Sequence, residues 1–359
     1  MTLKVVLVGC GKVADQHIAE IQKTSAARMV AVCDTELLMA KQVAVRYHIP
    51  NYYTDFDEML AKENPDVVHI ATPPSSHLSL ARKALDANCH LVVEKPVALD
   101  FAEAEQLVRH AERRQRKLTV CYTYYFDPIL RTLRALVQEG AMGEVVHLES
   151  FLGYDLAGAF GRPLLADRDH WVHSLPGGLL QNVLDHILNK ITEFLPDDNP
   201  SVLVRSWQGS QEVTNSSLLD ELRVMIVGQR ASAYGTFSAQ IRPVQHTLIF
   251  HGTKNTAYLD FTNSTITLDA STKLPGVIGR LATPFGRSWR HFRQGGKNLA
   301  RFARSDYQFF AGFQTLIAEF HESILHDTPV PIPYREILRV AAMTDAVIDQ
   351  LLGAEVLPR

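Results

Sequence analysis

Lys4-Val5-Val6-Leu7-Val8 runs directly into Gly9-Cys10-Gly11-Lys12-Val13-Ala14, and a second apolar run, Met29-Val30-Ala31-Val32-Cys33, ends on Asp34. Gly9 permits a tight turn, Gly11 lets the backbone approach a bound group, and the small Ala14 lets a helix pack close on the strand. The start of that helix offers unpaired N–H groups to anionic oxygens. Asp34 follows about twenty residues after Ala14, where an acid accepts hydrogen bonds from ribose hydroxyls. Together these pieces predict a dinucleotide pocket. They favour NAD over NADP, because a 2′-phosphate would meet the Asp34 carboxylate and Thr35-Glu36 adds no cation.

The rest of the chain fits that opening. Its 359 residues are enough for about two domains. With 46% hydrophobic residues, 21% charged residues and a formal net charge of -3, neither disorder nor a nucleic-acid carrier is expected. No apolar run approaches the roughly 20 residues of a membrane span. The N-terminus going directly into the strand at Lys4 leaves no room for a signal peptide, so a cytoplasmic setting is expected. Cys10, Cys33, Cys89 and Cys121 show no CxxC spacing and read as buried thiols at strand ends.

Residues 1–122 alternate short apolar strands (Asp66–Ala71, Leu91–Val93, Leu118–Cys121) with helical patterns (Glu36–Tyr47, Ser76–Ala87, Phe101–Arg116). This is the signature of a doubly wound parallel sheet, a Rossmann domain. Residues 123–359 change texture. Helical stretches at Pro128–Gln138 and Leu179–Phe194 accompany seven strand-like runs between Glu144 and Leu268, several joined by hairpin-like turns. The expectation is an α+β domain with an open, largely antiparallel mixed sheet, which binds substrate and pairs with a second copy through its open face. Helices at Tyr307–His326 and Arg335–Leu352 close the chain.

Glu94-Lys95-Pro96 directly follows the strand Leu91–Val93. Ligands of a doubly wound sheet bind at the carboxyl ends of its strands, so a lysine there can reach a substrate hydroxyl and act as general base or acid. Pro96 admits a cis bond that would aim the lysine.

With these residues the chain resembles the glucose–fructose oxidoreductase / inositol dehydrogenase / MocA family of NAD(P)-dependent oxidoreductases. The likeness is dense from residue 3 to about 151: the glycine turn, Cys33-Asp34, Pro65 to Pro73, His77, Glu94-Lys95-Pro96 and Gly140 to Val145. The resemblance implies hydride transfer at a carbinol carbon of a sugar, a cyclitol or a relative, usually in a homo-oligomer. It implies that Gly9, Cys10, Gly11, Lys12, Val13, Ala14 and Asp34 bind the cofactor, that Thr72, Pro73 and His77 line its cleft, and that Glu94, Lys95 and Pro96 flank the nicotinamide.

The family's second site segment, a glycine turn into a helix bearing Asp and then His four residues on, corresponds to Pro176 through His186. His186 is kept, but Asn182 stands at the acid's position. In a helix Asn182 and His186 share a face with Asn189 and Lys190. An amide supplies no charge, so His186 is expected to titrate lower than beside an acid unless Asp185 compensates. Whether Lys95 or His186 moves the proton is left open. Tyr124 and Trp171 are candidate substrate contacts, together with Asn182, Asp185 and His186. His170 and His173 lack further ligand spacing, and no metal is expected.

Between Ala270 and Ser305 there is no acid, while Lys273, Arg280, Arg287, Arg290, Arg293, Lys297, Arg301 and Arg304 accumulate, with Trp289, Phe292, Leu299 and Phe302 interleaved. A solvated or subunit-contacting face is the main reading. A nucleotide-sugar diphosphate is another, and contact with an anionic bilayer is the least favoured. The Gly295-Gly296 pair weakens a continuous helix there by about 1 kcal/mol each. An alternative for the whole protein is a dinucleotide-binding regulator or scaffold of the same fold that does not turn over.

Overall fold

The structure, a computed structural model, describes residues 2–159, 161–209, 218–270, 276–304 and 311–353. Two compact units emerge: Met1–Tyr122 with Phe313–Asp345, and Thr123–Gly312 with the chain from Ala346 on. The expected second domain therefore loses Phe313–Asp345, which folds onto the first.

In the first unit β1 (Leu3–Val8), α1 (Ala14–Gln22), β2 (Ala27–Cys33), α2 (Leu37–Tyr47), β3 (Asn51–Tyr53), α3 (Phe56–Glu63), β4 (Val67–Ile70), α4 (His77–Asp86), β5 (His90–Val93), α5 (Phe101–Arg113) and β6 (Leu118–Val120) alternate along the chain. All six strands are parallel, in the order β3-β2-β1-β4-β5-β6. All but the edge strand β3 are largely buried on both faces, which is why they read as apolar runs rich in Val, Ile and Leu. Asp55 and Asp100 cap α3 and α5, their carboxylates accepting from Glu58 N (2.7 Å) and Glu103 N (2.8 Å). The edge strand β3 and the helix α3 after it were not expected. Three residues, Asn-Tyr-Tyr, carry too short a pattern to announce a strand.

The second unit holds α6 (Pro128–Gln138), β7 (Val145–Gly153), α7 (Arg162–Ala166), α8 (Gly178–Leu188) and β8 to β13 (Ser201–Trp207, Glu221–Val227, Ser232–Ser238, His246–Gly252, Asn255–Asp260, Thr265–Ala270), then α9 (Gly276–Ala303). Each of the seven strand-like runs is a strand. They form one mixed sheet, β13-β12-β11-β7-β10-β9-β8, in which only β7 and β10 pair in parallel. α8 covers one face. The other leaves Leu203, Met225, Tyr234 and Tyr258 between 36% and 56% exposed. α9 runs unbroken through Gly295-Gly296. Of the closing helices, α10 spans Ala311–Leu325 and α11 Tyr334–Gly353. The expected stretch from Tyr307 to Phe310 lies outside the described residues, as does Lys273. No helix among the described residues is long and apolar enough to cross a membrane.

Candidate functional site

In the first unit the strand order reverses direction between β1 and β4, and the carboxyl ends of those two strands meet at Gly9. Gly9 has φ +94°, and a Cβ there would stand 2.6 Å from the Ala71 carbonyl carbon and 2.8 Å from Thr72 N. Only glycine fits that approach. A Cβ at Gly11 would meet nothing within 4 Å, so the turn is open on the side away from the sheet. Asp34 is tied to the turn: its Oδ2 accepts the Cys10 N–H (2.7 Å) and its Oδ1 the Glu36 N–H (2.9 Å). Lys12 is exposed, Val13 half-buried, and Ala14 fully buried beneath α1. These residues fit an NAD-type group, with an open backbone cradle for phosphates and a fixed carboxylate beside it. The four cysteines are free and buried, and burial pushes Cys10, Cys33 and Cys89 up to about 12, so these thiols stay protonated.

Thr72 and Pro73 follow β4, with Thr72 Oγ1 accepting from Ser76 Oγ (2.7 Å). His77, expected to line a cleft, is instead fully buried. Its ring nitrogens meet the Pro96 carbonyl at 3.0 Å (Nδ1) and the Thr72 carbonyl at 2.8 Å (Nε2). Burial lowers its pKa despite both carbonyls. His77 thus pins the segment after β4 to the segment after β5.

Glu94 is likewise occupied from within. His17 Nε2 lies 3.1 Å from Glu94 Oε1, and the Lys95 N–H donates to Glu94 Oε2 at 3.2 Å. Burial tends to raise the Glu94 carboxyl, but the hydrogen bond and charge of His17, then Lys95 and the Cys121 thiol, outweigh it and hold the group below its ordinary value. His17 Nδ1 in turn meets His69 Nδ1 at 2.9 Å, and His321 packs 6.0 Å from the His69 ring. Burial, then His17 and His321, keep His69 well below the usual imidazole range. With His17 donating from Nε2, the hydrogen bonds that link His69 to His17 through their facing Nδ1 atoms end on the Glu94 carboxylate. The ligating atoms of His17, Glu94 and Cys121 lie within 4.8 Å of one another. Lys95 is half-buried at the end of β5, and its bond to Pro96 is cis.

In the second unit α8 starts at Gly177-Gly178, where a Cβ on Gly177 would strike Ile348 Cδ1 at 2.2 Å and Gly178 takes φ +54°. From Leu179 to Lys190 only Asn182 and His186 are half-open; every other residue is buried. The open face is therefore narrower than expected. Asn189 and Lys190 turn inward, and Asp185, one position round the helix from His186, is 3% exposed and offers nothing to a ligand on that face.

The Tyr124 ring meets His186 edge-on at 5.5 Å. Its hydroxyl lies 2.5 Å from His246 Nδ1, and His246 Nε2 lies 2.9 Å from the Gly153 carbonyl. A carbonyl only accepts, so Nε2 carries the proton and Nδ1 accepts from the phenol. Burial and then Lys190 lower His246 to about 4, which keeps it neutral. Tyr124 thus offers its ring, its hydroxyl proton being already committed. Behind it Lys190 is fully buried, its Nζ 5.3 Å from the Tyr124 centroid, 5.2 Å from that of Phe261 and 3.4 Å from the Phe151 carbonyl. Burial pushes Lys190 down to about 7. Trp171 packs on His170 (5.5 Å) in a turn of its own. His170 Nδ1 accepts from Val172 N (3.3 Å) and His173 Nε2 donates to Leu164 O (2.9 Å), so both rings serve the loop.

Residues 3–122 match the model of an oxidoreductase family with an NAD-binding Rossmann fold. Over residues 3–122 the chain carries the NAD-binding domain of the glucose–fructose oxidoreductase / inositol dehydrogenase / MocA family. Among curated relatives, D-glucoside 3-dehydrogenase of Escherichia coli K12 is 31% identical over 144 residues, which are 40% of this chain and 41% of that one. The match therefore spans about two fifths of the relative's length. The WlbA dehydrogenase from Bordetella pertussis, solved with NADH and UDP-GlcNAcA, shares the fold at a TM-score of 0.79 and 18% identity, over 100% of this chain and 98% of that one. An oxidoreductase from Agrobacterium radiobacter, solved with NAD+, L-tartaric acid and magnesium, gives 0.76 at 18% identity, over 97% and 96%.

Sequence reasoning passed over His17, His69, His321 and His246, and put Lys190 on the open face of α8, where it is instead fully buried. A signal existed for His69, which interrupts the apolar run Val67-Val68-His69-Ile70. His17, His246 and His321 gather only through tertiary packing.

Proposed function

We propose that the protein is an NAD-dependent dehydrogenase acting on a CH–OH group of a sugar-like substrate. The observation that carries this reading is the hold on Glu94. Its carboxylate is taken by His17 and by the Lys95 N–H, so it serves to fix Lys95 at the carboxyl end of β5, in the sheet whose first turn is the open glycine cradle. Gly9 to Ala14 hold the diphosphate, with N–H groups of the turn and of the α1 start donating to it. Asp34, pinned by Cys10 and Glu36, accepts from the adenosine ribose and repels a 2′-phosphate, which makes NAD the preferred dinucleotide. When bound, the cofactor accepts or returns the hydride. The hydroxyl proton passes to the Lys95 amine or to the His186 imidazole. Asn182 hydrogen-bonds a substrate hydroxyl, and the Tyr124 ring packs against the apolar face of a sugar. The exposed face of the seven-stranded sheet pairs with a second copy.

A second reading, a dinucleotide-binding regulator without turnover, is favoured by Asn182 in the acid's place with Asp185 turned inward. Lys95→Ala separates the two. The expected result is a loss of turnover of about 10²- to 10⁴-fold with NADH affinity unchanged, measured by fluorescence titration and steady-state kinetics on a panel of sugars and polyols. Failure of the wild-type chain to oxidise any member of the panel, or tighter binding of NADPH than NADH, would count against the catalytic or the cofactor assignment respectively.

A further inference from the structure

The long helix α9 presents its apolar side to solvent. At 1.5 Å per residue its 28 residues extend about 42 Å. On one side it is tied to the edge strand β13 and the turn before it by polar groups: Arg287 and Arg290 on Asp269 (Arg290 Nη2 to Oδ1, 3.1 Å), Gln294 Nε2 on Ile266 O (2.8 Å) and Asn298 Nδ2 on Asn263 O (2.7 Å). On the opposite side Leu281, Phe285, Trp289, Phe292, Leu299 and Phe302 are 61% to 78% exposed. A helix packed on a soluble domain turns such a stripe inward.

Charge decides what covers it. From Gly276 to Arg304 there is no Asp or Glu, and exposed Arg293, Lys297 and Arg304 border the apolar stripe on one side and Arg280 on the other. A second copy docked on this stripe about a two-fold axis would bring two cationic helices together, with no acid on either to receive the cations of the other. An anionic lipid surface accommodates both features, apolar side chains at the acyl boundary and cations among the headgroups. We propose that α9 is a membrane-surface helix that seats this protein on an anionic bilayer. The proposal is independent of the catalytic assignment.

The test uses the full chain and sedimentation with vesicles of phosphatidylcholine containing phosphatidylserine, against phosphatidylcholine alone, at low and high salt. The wild type should pellet with the anionic vesicles at low salt and be released by salt. Arg293→Gln with Lys297→Gln should lower the partition coefficient about twenty-fivefold, at about fivefold per cation. Trp289→Glu with Phe292→Glu should reduce pelleting to background. These positions are exposed, so thermal unfolding of both variants should match the wild type, which shows that they fold. No pelleting of the wild type with anionic vesicles at low salt overturns the proposal, as does wild-type pelleting by the Trp289/Phe292 variant. It is also overturned if that variant has a lower mass by light scattering while the wild type ignores vesicles, the outcome for a second copy on this face.

Discussion

Each unit buries a polar cluster near the residues assigned to its site, and the two are built on opposite principles. In the first, three histidines, a thiol and Glu94 gather behind the end of β5, and the chain from His69 through His17 terminates on a carboxylate. In the second, Lys190 lies among the rings of Tyr124 and Phe261 with a backbone carbonyl as its hydrogen-bond partner. A buried cation is costly unless an anion or a full set of hydrogen bonds compensates it. The first cluster therefore holds its geometry through an internal acid. The second holds a group whose charge is marginal at neutral pH. One is suited to fixing a side chain and the other to answering to pH.

The largest expected effect breaks the second cluster. Lys190 falls from 10.5 to about 7, a difference on the order of 5 kcal/mol at most. The two ring contacts return about 1 kcal/mol or more of that. For a lysine depressed in the folded state, the unfolded chain binds more protons between pH 7 and 10.5. The penalty is thus present in full below pH 7 and is relieved as pH rises through that window. Lys190→Met should be more stable than the wild type at pH 6 by several kcal/mol, with the gap closing toward pH 10. Urea unfolding across this pH series measures it, and a pH-independent gap would remove the claim that Lys190 is depressed.

The first unit's architecture was legible because its signals are local. Glycine turn, strand and acid lie within Lys4–Asp34, whereas α3 was passed over together with its Asp55 cap. The seven strands of the second unit were equally plain, since each is a separate alternating or β-branched run. Phe313–Asp345 was misassigned because amphipathic periodicity states that a helix buries a face, and says nothing about which sheet receives it. The same limit hid the histidine cluster, whose members come from α1, β4 and α10. The outward stripe of α9 was half legible. Composition gave the cations and aromatics, but the stripe of Gln294 and Asn298 against β13 shows which side faces the protein.

A smaller effect tests the first cluster. Glu94→Ala leaves His17 Nε2 and the Lys95 N–H without their acceptor, and stability should fall by about 3 kcal/mol. Glu94→Gln keeps an acceptor oxygen and should recover part of that loss while turnover stays reduced, because Lys95 keeps its backbone anchor but loses the neighbouring charge. A change under about 0.5 kcal/mol in Glu94→Ala, the range of an ordinary surface substitution, would deny Glu94 its anchoring role.

The smallest effect moves one unit toward the logic of the other by placing a carboxylate where the second cluster lacks one. Asn182 and His186 are the two half-open positions on α8, four residues apart, so Asn182→Asp sets an acid one turn before the imidazole. An exposed pair at this spacing is worth about 0.3–0.5 kcal/mol, rising toward 1 where solvent is partly excluded. If His186 carries the substrate proton, the acid limb of kcat/KM should move upward by less than about one pH unit, since a carboxylate favours the protonated ring. If Lys95 carries it, that limb stays in place and only KM changes through the altered contact with the substrate hydroxyl. The pH profile of Asn182→Asp thus decides between two proton carriers that sequence and geometry leave equal.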